Sequence, residues 1–175
     1  MNGYLKSAAI VVVTAIVVHL AIILATPNVI MAVALKRVSF GEHKFNAWYH
    51  GPRTTEASRA VVRPSPELAY SSCVYDLSKG PVRIVAGKAA DYMSVSVYAA
   101  NSDNIFAIND RQSPNGVQLV LVGKGQTAPQ GMGTVVQSPT QRGVVLERRL
   151  APSAEAFAAA AKARANDICA PVAAG

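Results

Sequence analysis

The sequence has few of the residues from which reactive centres are built: two cysteines and three histidines among 175 residues. Cys73 and Cys169 form no Cys-x-x-Cys motif, and His19, His43 and His50 are too dispersed to join them in a metal-ligand set. No metal and no other cofactor is therefore expected. A Gly-x-Ser-x-Gly elbow is missing, and so is a phosphate loop ending in Gly-Lys-Ser or Gly-Lys-Thr. The net charge of +7 would suit nucleic acid, yet the 17 lysines and arginines are scattered, with adjacent pairs only at Lys36-Arg37 and Arg148-Arg149. Without a basic tract or a recognition helix, nucleic acid is not an expected partner. The charge reads as solubility and as attraction to an anionic bilayer.

A long apolar run is present. Residues 8–25 carry no formal charge and as a helix would extend about 27 Å, close to the thickness of a bilayer's hydrocarbon core. This predicts an uncleaved transmembrane anchor behind a cytoplasmic tail at residues 1–7. The competing reading is a cleaved secretory signal with Ala32-Val33-Ala34 as its site. That triplet lies past Pro27 and far from the apolar centre, so the anchor is preferred. Counting charges literally, Lys6 against Lys36, Arg37 and Lys44, would put the C-terminal side in the cytoplasm. Long domains cross regardless of such charges, however, so a bacterial signal anchor with its domain in the periplasm is expected. His19, inside the span, is either a functional group or a neutral imidazole bonded to a carbonyl or a neighbouring helix. Pro27 should end or kink the helix. Residues 28–35 then form an interfacial helix or prolong a tilted span, and both readings stay open.

Residues 26–62 contain the interfacial helix and a neck with Phe40, Phe45, Trp48 and Tyr49 among Gly41, Gly51 and Pro52. These aromatics either pack under the domain or form a belt at the membrane surface, for which His43 to His50 would serve. Residues 60–66 make an extended lead into the domain, which is placed at 63–175. One modest domain and a membrane segment fit the chain length.

The domain reads as short strands separated by turns: 68–77, 82–86, 92–98, 105–108, 117–123, 134–137 and 143–150. In the third, Met93, Val95 and Val97 alternate with Tyr92, Ser94, Ser96 and Tyr98, giving one apolar and one hydroxyl-bearing face. The nearly all-apolar run 117–123 predicts a central strand covered on both sides. Residues 124–133 form a Gly, Pro and Gln loop. One soluble helix is expected over 151–166, capped by Ser153, with Phe157, Ala161, Ala165 and Ile168 as the stripe that docks on the sheet. The fold class is mainly β, an antiparallel sandwich or jelly-roll-like domain with one C-terminal helix behind an N-terminal transmembrane helix.

The segments YSSCVYDLSKGPVRI, YMSVSVYAANSDNIFAINDR, LVLVG and GVVLERRL resemble the bacterial family of domain of unknown function 1254. Asp76 to Val82 is the most specific part of a likeness covering residues 63–150. The resemblance implies a fold and an envelope context without a reaction. It also implies that longer members carry a second β-rich domain, of the family of domain of unknown function 1214. The resemblance further implies that short membrane-anchored versions of the two halves tend to be encoded side by side. A membrane-anchored partner of that second kind, in a hetero-oligomer, is accordingly expected.

The hydroxyl-bearing set Tyr92, Ser94, Ser96 and Tyr98 is the expected partner or ligand face. Tyr70, Asp76, Asp110 and Arg111 form a second, polar candidate site at strand ends. Asp76 serves there either as an acid or, more simply, as a turn-forming side chain, while Asp110 and Arg111 form an ion pair or close a hairpin. Cys73 and Cys169 could form a disulfide holding the C-terminal helix to the sheet, or remain free thiols. With no paired acids and no nucleophile beside a base, an interaction module is preferred to an enzyme. The alternative is a periplasmic hydrolase or carbohydrate-binding protein active only in an assembled pair.

Overall fold

The computed structural model describes residues 3–40, 44–59 and 61–172. Gly41, His43 and Ala60, named above in the neck, lie outside the described residues.

Helix α1 (Gly3–Val38) is 36 residues long and passes Pro27 without a break. Of the two readings of residues 28–35, the continuous helix is the one present. Proline supplies no N–H to the helix ladder, and beside it the Thr26 hydroxyl donates to the Ile22 carbonyl at 2.6 Å. The helix is long and apolar enough to cross a membrane, and its side chains are exposed up to residue 30. From there one face turns inward. Met31 is buried, and Ala34, Leu35 and Val38 are half-buried at helical spacing, where α1 meets the domain. Ser102 donates to the Pro27 carbonyl at 2.8 Å, and the rings of Phe40 and Tyr49 meet edge to face at 4.7 Å.

The domain is a two-layer β-sandwich. One sheet has the strand order β1 (Trp48–His50), β2 (Leu68–Asp76), β8 (Arg142–Leu150), β4 (Met93–Ala99) and β5 (Asn104–Asn109). The other runs β7 (Thr134–Gln137), β6 (Val117–Val122), β3 (Val82–Ala86) and β9 (Ile168–Pro171). Alternation fills the space between them. Cys73 and Tyr75 of β2, Val145 of β8 and Val95 and Val97 of β4 meet Val82, Ile84, Leu119 and Leu121 of the second sheet. The central strand expected at 117–123 is β6, inside its sheet.

Three details depart from the sequence reading. Strands β2 and β3, which look like a hairpin, belong to different sheets; Gly80 at φ 129° and Pro81 carry the chain across. Strands β6 and β7 pair in parallel. The short edge strands β1 and β9 carry too little pattern to be seen in advance.

Helix α2 (Ala154–Ala163) is capped as expected, with Ser153 accepting from the Ala156 N–H at 3.1 Å. Its buried stripe is a different one. Phe157 and Ala160 pack on Ala69 and Ala151, and the next position on that face is Arg164, in a 3-10 turn at Arg164–Asn166. Ala165 and Ile168 are exposed, because the α-helical period stops at Ala163 and the chain then straightens into β9.

Candidate functional site

One end of the sandwich interior is polar. On β8, Glu147 and Arg149 follow Val145 on the inward face, and both are buried. Arg149 donates through Nε to Glu147 Oε1 at 2.6 Å and through a terminal nitrogen to the Gly87 carbonyl at 2.9 Å. The same nitrogen lies 3.4 Å from Asp167 Oδ2, and Asp167 Oδ1 accepts from the Gly87 N–H at 2.7 Å. Arg149 therefore crosses from the first sheet to the segments that end β3 and begin β9.

Arg164 closes the same end from the helix. It donates to the carbonyls of Tyr70 and Gly51 at 3.0 and 2.9 Å, lies 3.4 Å from the Ser71 hydroxyl, and covers the Phe157 ring at 5.2 Å. Ser71 in turn meets His50 Nδ1 at 2.9 Å. Burial, reinforced by the Arg164 charge, holds the His50 pKa below its ordinary value.

His50, Glu147 and Asp167 each bring a ligand atom within 4.8 Å of the others. The sequence reading did not assemble this set, since only folding brings residues 50, 147 and 167 together. The donor types suit a divalent cation. The surroundings suit one poorly, because the Arg149 guanidinium already lies against both carboxylates. Burial and the adjacent Glu147 charge push Asp167 up to about 7, against the opposing pull of the Gly87 N–H and Arg149. Glu147 Oε2 is buried and has no hydrogen-bond partner among the described residues.

The four members of the expected hydroxyl face are not equally open. Ser94 and Ser96 are buried and Tyr98 is half-buried, while Tyr92 is exposed just ahead of β4. Arg148, paired in register with Ser94, donates to the Ser96 hydroxyl at 3.2 Å. The alternation is as read, but the tetrad is no open contact surface, because a long side chain from the neighbouring strand and the first layer of neighbours cover its middle.

The second candidate set is dispersed. Asp76 accepts from the Ser78 N–H at 2.8 Å and from Arg142 Nε at 2.8 Å. Burial pushes its pKa up, but these bonds outweigh it and hold the carboxyl below its ordinary value. Asp110 closes the β4–β5 hairpin, exchanging bonds with Met93 at 3.0 and 3.2 Å. The Arg111 N–H is tied to Asn109, with its side chain exposed, and the Tyr70 hydroxyl accepts from the Ser65 N–H at 2.9 Å. These are turn and strand-end roles. Cys73 and Cys169 are joined, with Cα atoms 6.5 Å apart, so β2 of one sheet is tied to β9 of the other.

The family described as protein of unknown function (DUF1254) matches residues 45–171. The chain belongs to that family. No curated protein matches it. Among solved structures it is similar to the VPA0106 protein from Vibrio parahaemolyticus, with 13% identity and a TM-score of 0.58 over 84% of this chain and 37% of that one. It also matches an uncharacterised protein from Burkholderia cenocepacia at 15% identity and a TM-score of 0.46, over 66% of this chain and 34% of that one. This DUF1254 chain thus spans about a third of the length of either protein, and the first likeness shows a shared fold.

Proposed function

We propose that this DUF1254 protein is a single-span inner-membrane protein whose periplasmic β-domain is an interaction module. Its partner is a membrane-anchored β-domain protein resembling the family of domain of unknown function 1214. The observation that carries the reading is the closure of the polar centre. The chemically richest group of side chains, Glu147, Arg149, Arg164 and Asp167, is sealed at one end of the sandwich. Two cavities near the surface of the described residues measure about 100 and 190 Å³, below the roughly 300–1,000 Å³ of small-molecule sites. A closed, cross-braced sandwich held against its anchor suits contact better than turnover. The Cys73–Cys169 bond supports an oxidising compartment. Exposed Tyr92, half-buried Tyr98 and the open edge of β5 are where a partner can reach the former tetrad.

Purification of the full-length chain from its native membrane in mild detergent tests this directly. A stoichiometric membrane-anchored β-rich protein in the eluate supports the pairing, and its loss on Tyr92→Ala would place the contact. A chain that elutes alone as a monomer, or that turns over glycans or esters by itself, overturns it.

A further inference from the structure

Beyond Pro27, α1 has two sides. Met31, Ala34, Leu35 and Val38 face the sandwich. On the other side Val29, Ile30 and Val33 are 59%, 61% and 46% exposed, and together with Ala34, Arg37 and Val61 they line a groove of about 190 Å³. Val62, next to it, is 73% exposed. A helix that is apolar all round is one that is covered all round. The domain covers only half of this segment.

We propose that the free side of α1 at Val29, Ile30 and Val33, with Val61 and Val62, rests in the headgroup layer of an anionic bilayer. The proposal builds on the reading of α1 as a membrane span and adds a second membrane contact, made by the domain's own neck. Continuity argues for it: the uncovered stripe prolongs the exposed apolar surface of residues 8–25, and Thr26, which lies on the same side between them, has its hydroxyl turned to the Ile22 carbonyl at 2.6 Å. Height argues for it as well. From Pro27 to Val33 the helix rises about 9 Å, and the headgroup layer is about 5–7 Å deep. The average helix tilt of about 20°, directed towards the uncovered side, brings Val33 into that layer. The direction of tilt is set by the fold, because the sandwich occupies the opposite side and Ser102 holds its β4–β5 turn at Pro27.

Charge agrees. The stripe ends at exposed Lys36 and Arg37, and residues 53–63 carry Arg53, Arg59 and Arg63 against Glu56. Basic side chains flanking an apolar patch are what an anionic surface attracts. The neck thereby becomes a foot that fixes how the sandwich stands on the membrane.

Spin labelling of the full-length protein in vesicles of phosphatidylethanolamine and phosphatidylglycerol tests this. The described residues contain no free cysteine, so a single introduced cysteine is selectively labelled under non-reducing conditions. Labels at Val33→Cys and Val61→Cys are compared with Val17→Cys in the span and Val135→Cys on the exposed edge of β7. Collision rates with oxygen and with a water-soluble nickel chelate are read at each. The expected result is that labels at 33 and 61 give an oxygen-to-chelate collision ratio between the high value at 17 and the low value at 135. If 33 and 61 behave like 135 while 17 favours oxygen, the foot is refuted and the span stands. If 17 also favours the chelate, the span fails and takes the proposal with it. Labels at 33 and 61 that are immobilised and shielded from both reagents would show a protein occupant, a second copy or another helix, and would equally overturn it.

Discussion

Arg149 donates to Glu147, two residues earlier on the same inward face of β8, across 2.6 Å and at a depth where both side chains are almost wholly covered. A buried ion pair adds little net stability when both partners are present and costs much when one is removed, because the survivor keeps its charge without compensation. Glu147→Ala should therefore lower unfolding stability by about 3–5 kcal/mol. The double variant Glu147→Leu with Arg149→Met should lose less than the two single changes combined. Urea unfolding of the detergent-solubilised protein, followed by near-ultraviolet circular dichroism, measures both. An additive double would show that the two residues do not act together.

The raised pKa of Asp167 sets a pH dependence. Asp167 in the fold titrates at about 7, whereas its unperturbed value is 3.8. Between these values the folded state binds more protons than the unfolded one, so this group's contribution to stability is complete below about pH 4. It then declines as pH rises to 7. Asp167→Asn keeps a neutral hydrogen-bonding side chain at every pH and should flatten that decline. Melting temperatures from pH 4 to 8 for both proteins provide the check, and parallel curves would remove Asp167 from the account.

The Cys73–Cys169 bond closes a 96-residue separation and joins the two layers. Loop closure of this length is worth about 4.7 kcal/mol in the unfolded chain. Reductant, or Cys169→Ser, should lower the melting temperature while leaving the contacts of Asp167 with Arg149 and with the Gly87 N–H to hold β9's approach. No shift on reduction would mean that the thiols are not joined in the isolated protein.

Gly143 lies where β8 passes beneath the Tyr75 ring. The Tyr75 hydroxyl donates to the Tyr98 carbonyl at 3.2 Å, and a Cβ at 143 would run into both of those groups. Gly143→Ala should cost about 1–3 kcal/mol through overpacking. Tyr75→Phe, which keeps the ring and drops the bonds to Tyr98 and Ser138, should be milder. Comparable losses from the two would point away from crowding.

Strand alternation made much of the architecture readable. The positions of β3 and β7 and the two faces of β4 follow from period-2 patterning alone. The same rule applied to GVVLERRL puts Glu147 and Arg149 on the side of Val145, a usable signal for a charged pair inside the sandwich. Its partners were not readable. Arg164 looks like a basic residue at a helix end, Asp167 like a linker residue, and His50 like part of a neck, because three-dimensional closeness between residues 50, 147, 164 and 167 has no local pattern. Likewise Ser94 and Ser96 declare their face but not what lies on it: the residue that covers them, Arg148, comes from a strand fifty residues away.

The unbroken run of α1 from its apolar stretch into its contact with the sandwich leaves no slack between anchor and domain. A domain on a flexible tether explores a hemisphere and meets partners at any angle and height. With α1 in a bilayer, as proposed, this one would have neither freedom: its orientation would follow the helix, and its search would be confined to a sheet one domain thick. For a partner anchored in the same membrane, encounter becomes a lateral, two-dimensional process with surfaces already at matching heights. A weak contact can then suffice where the same contact between freely diffusing proteins would not.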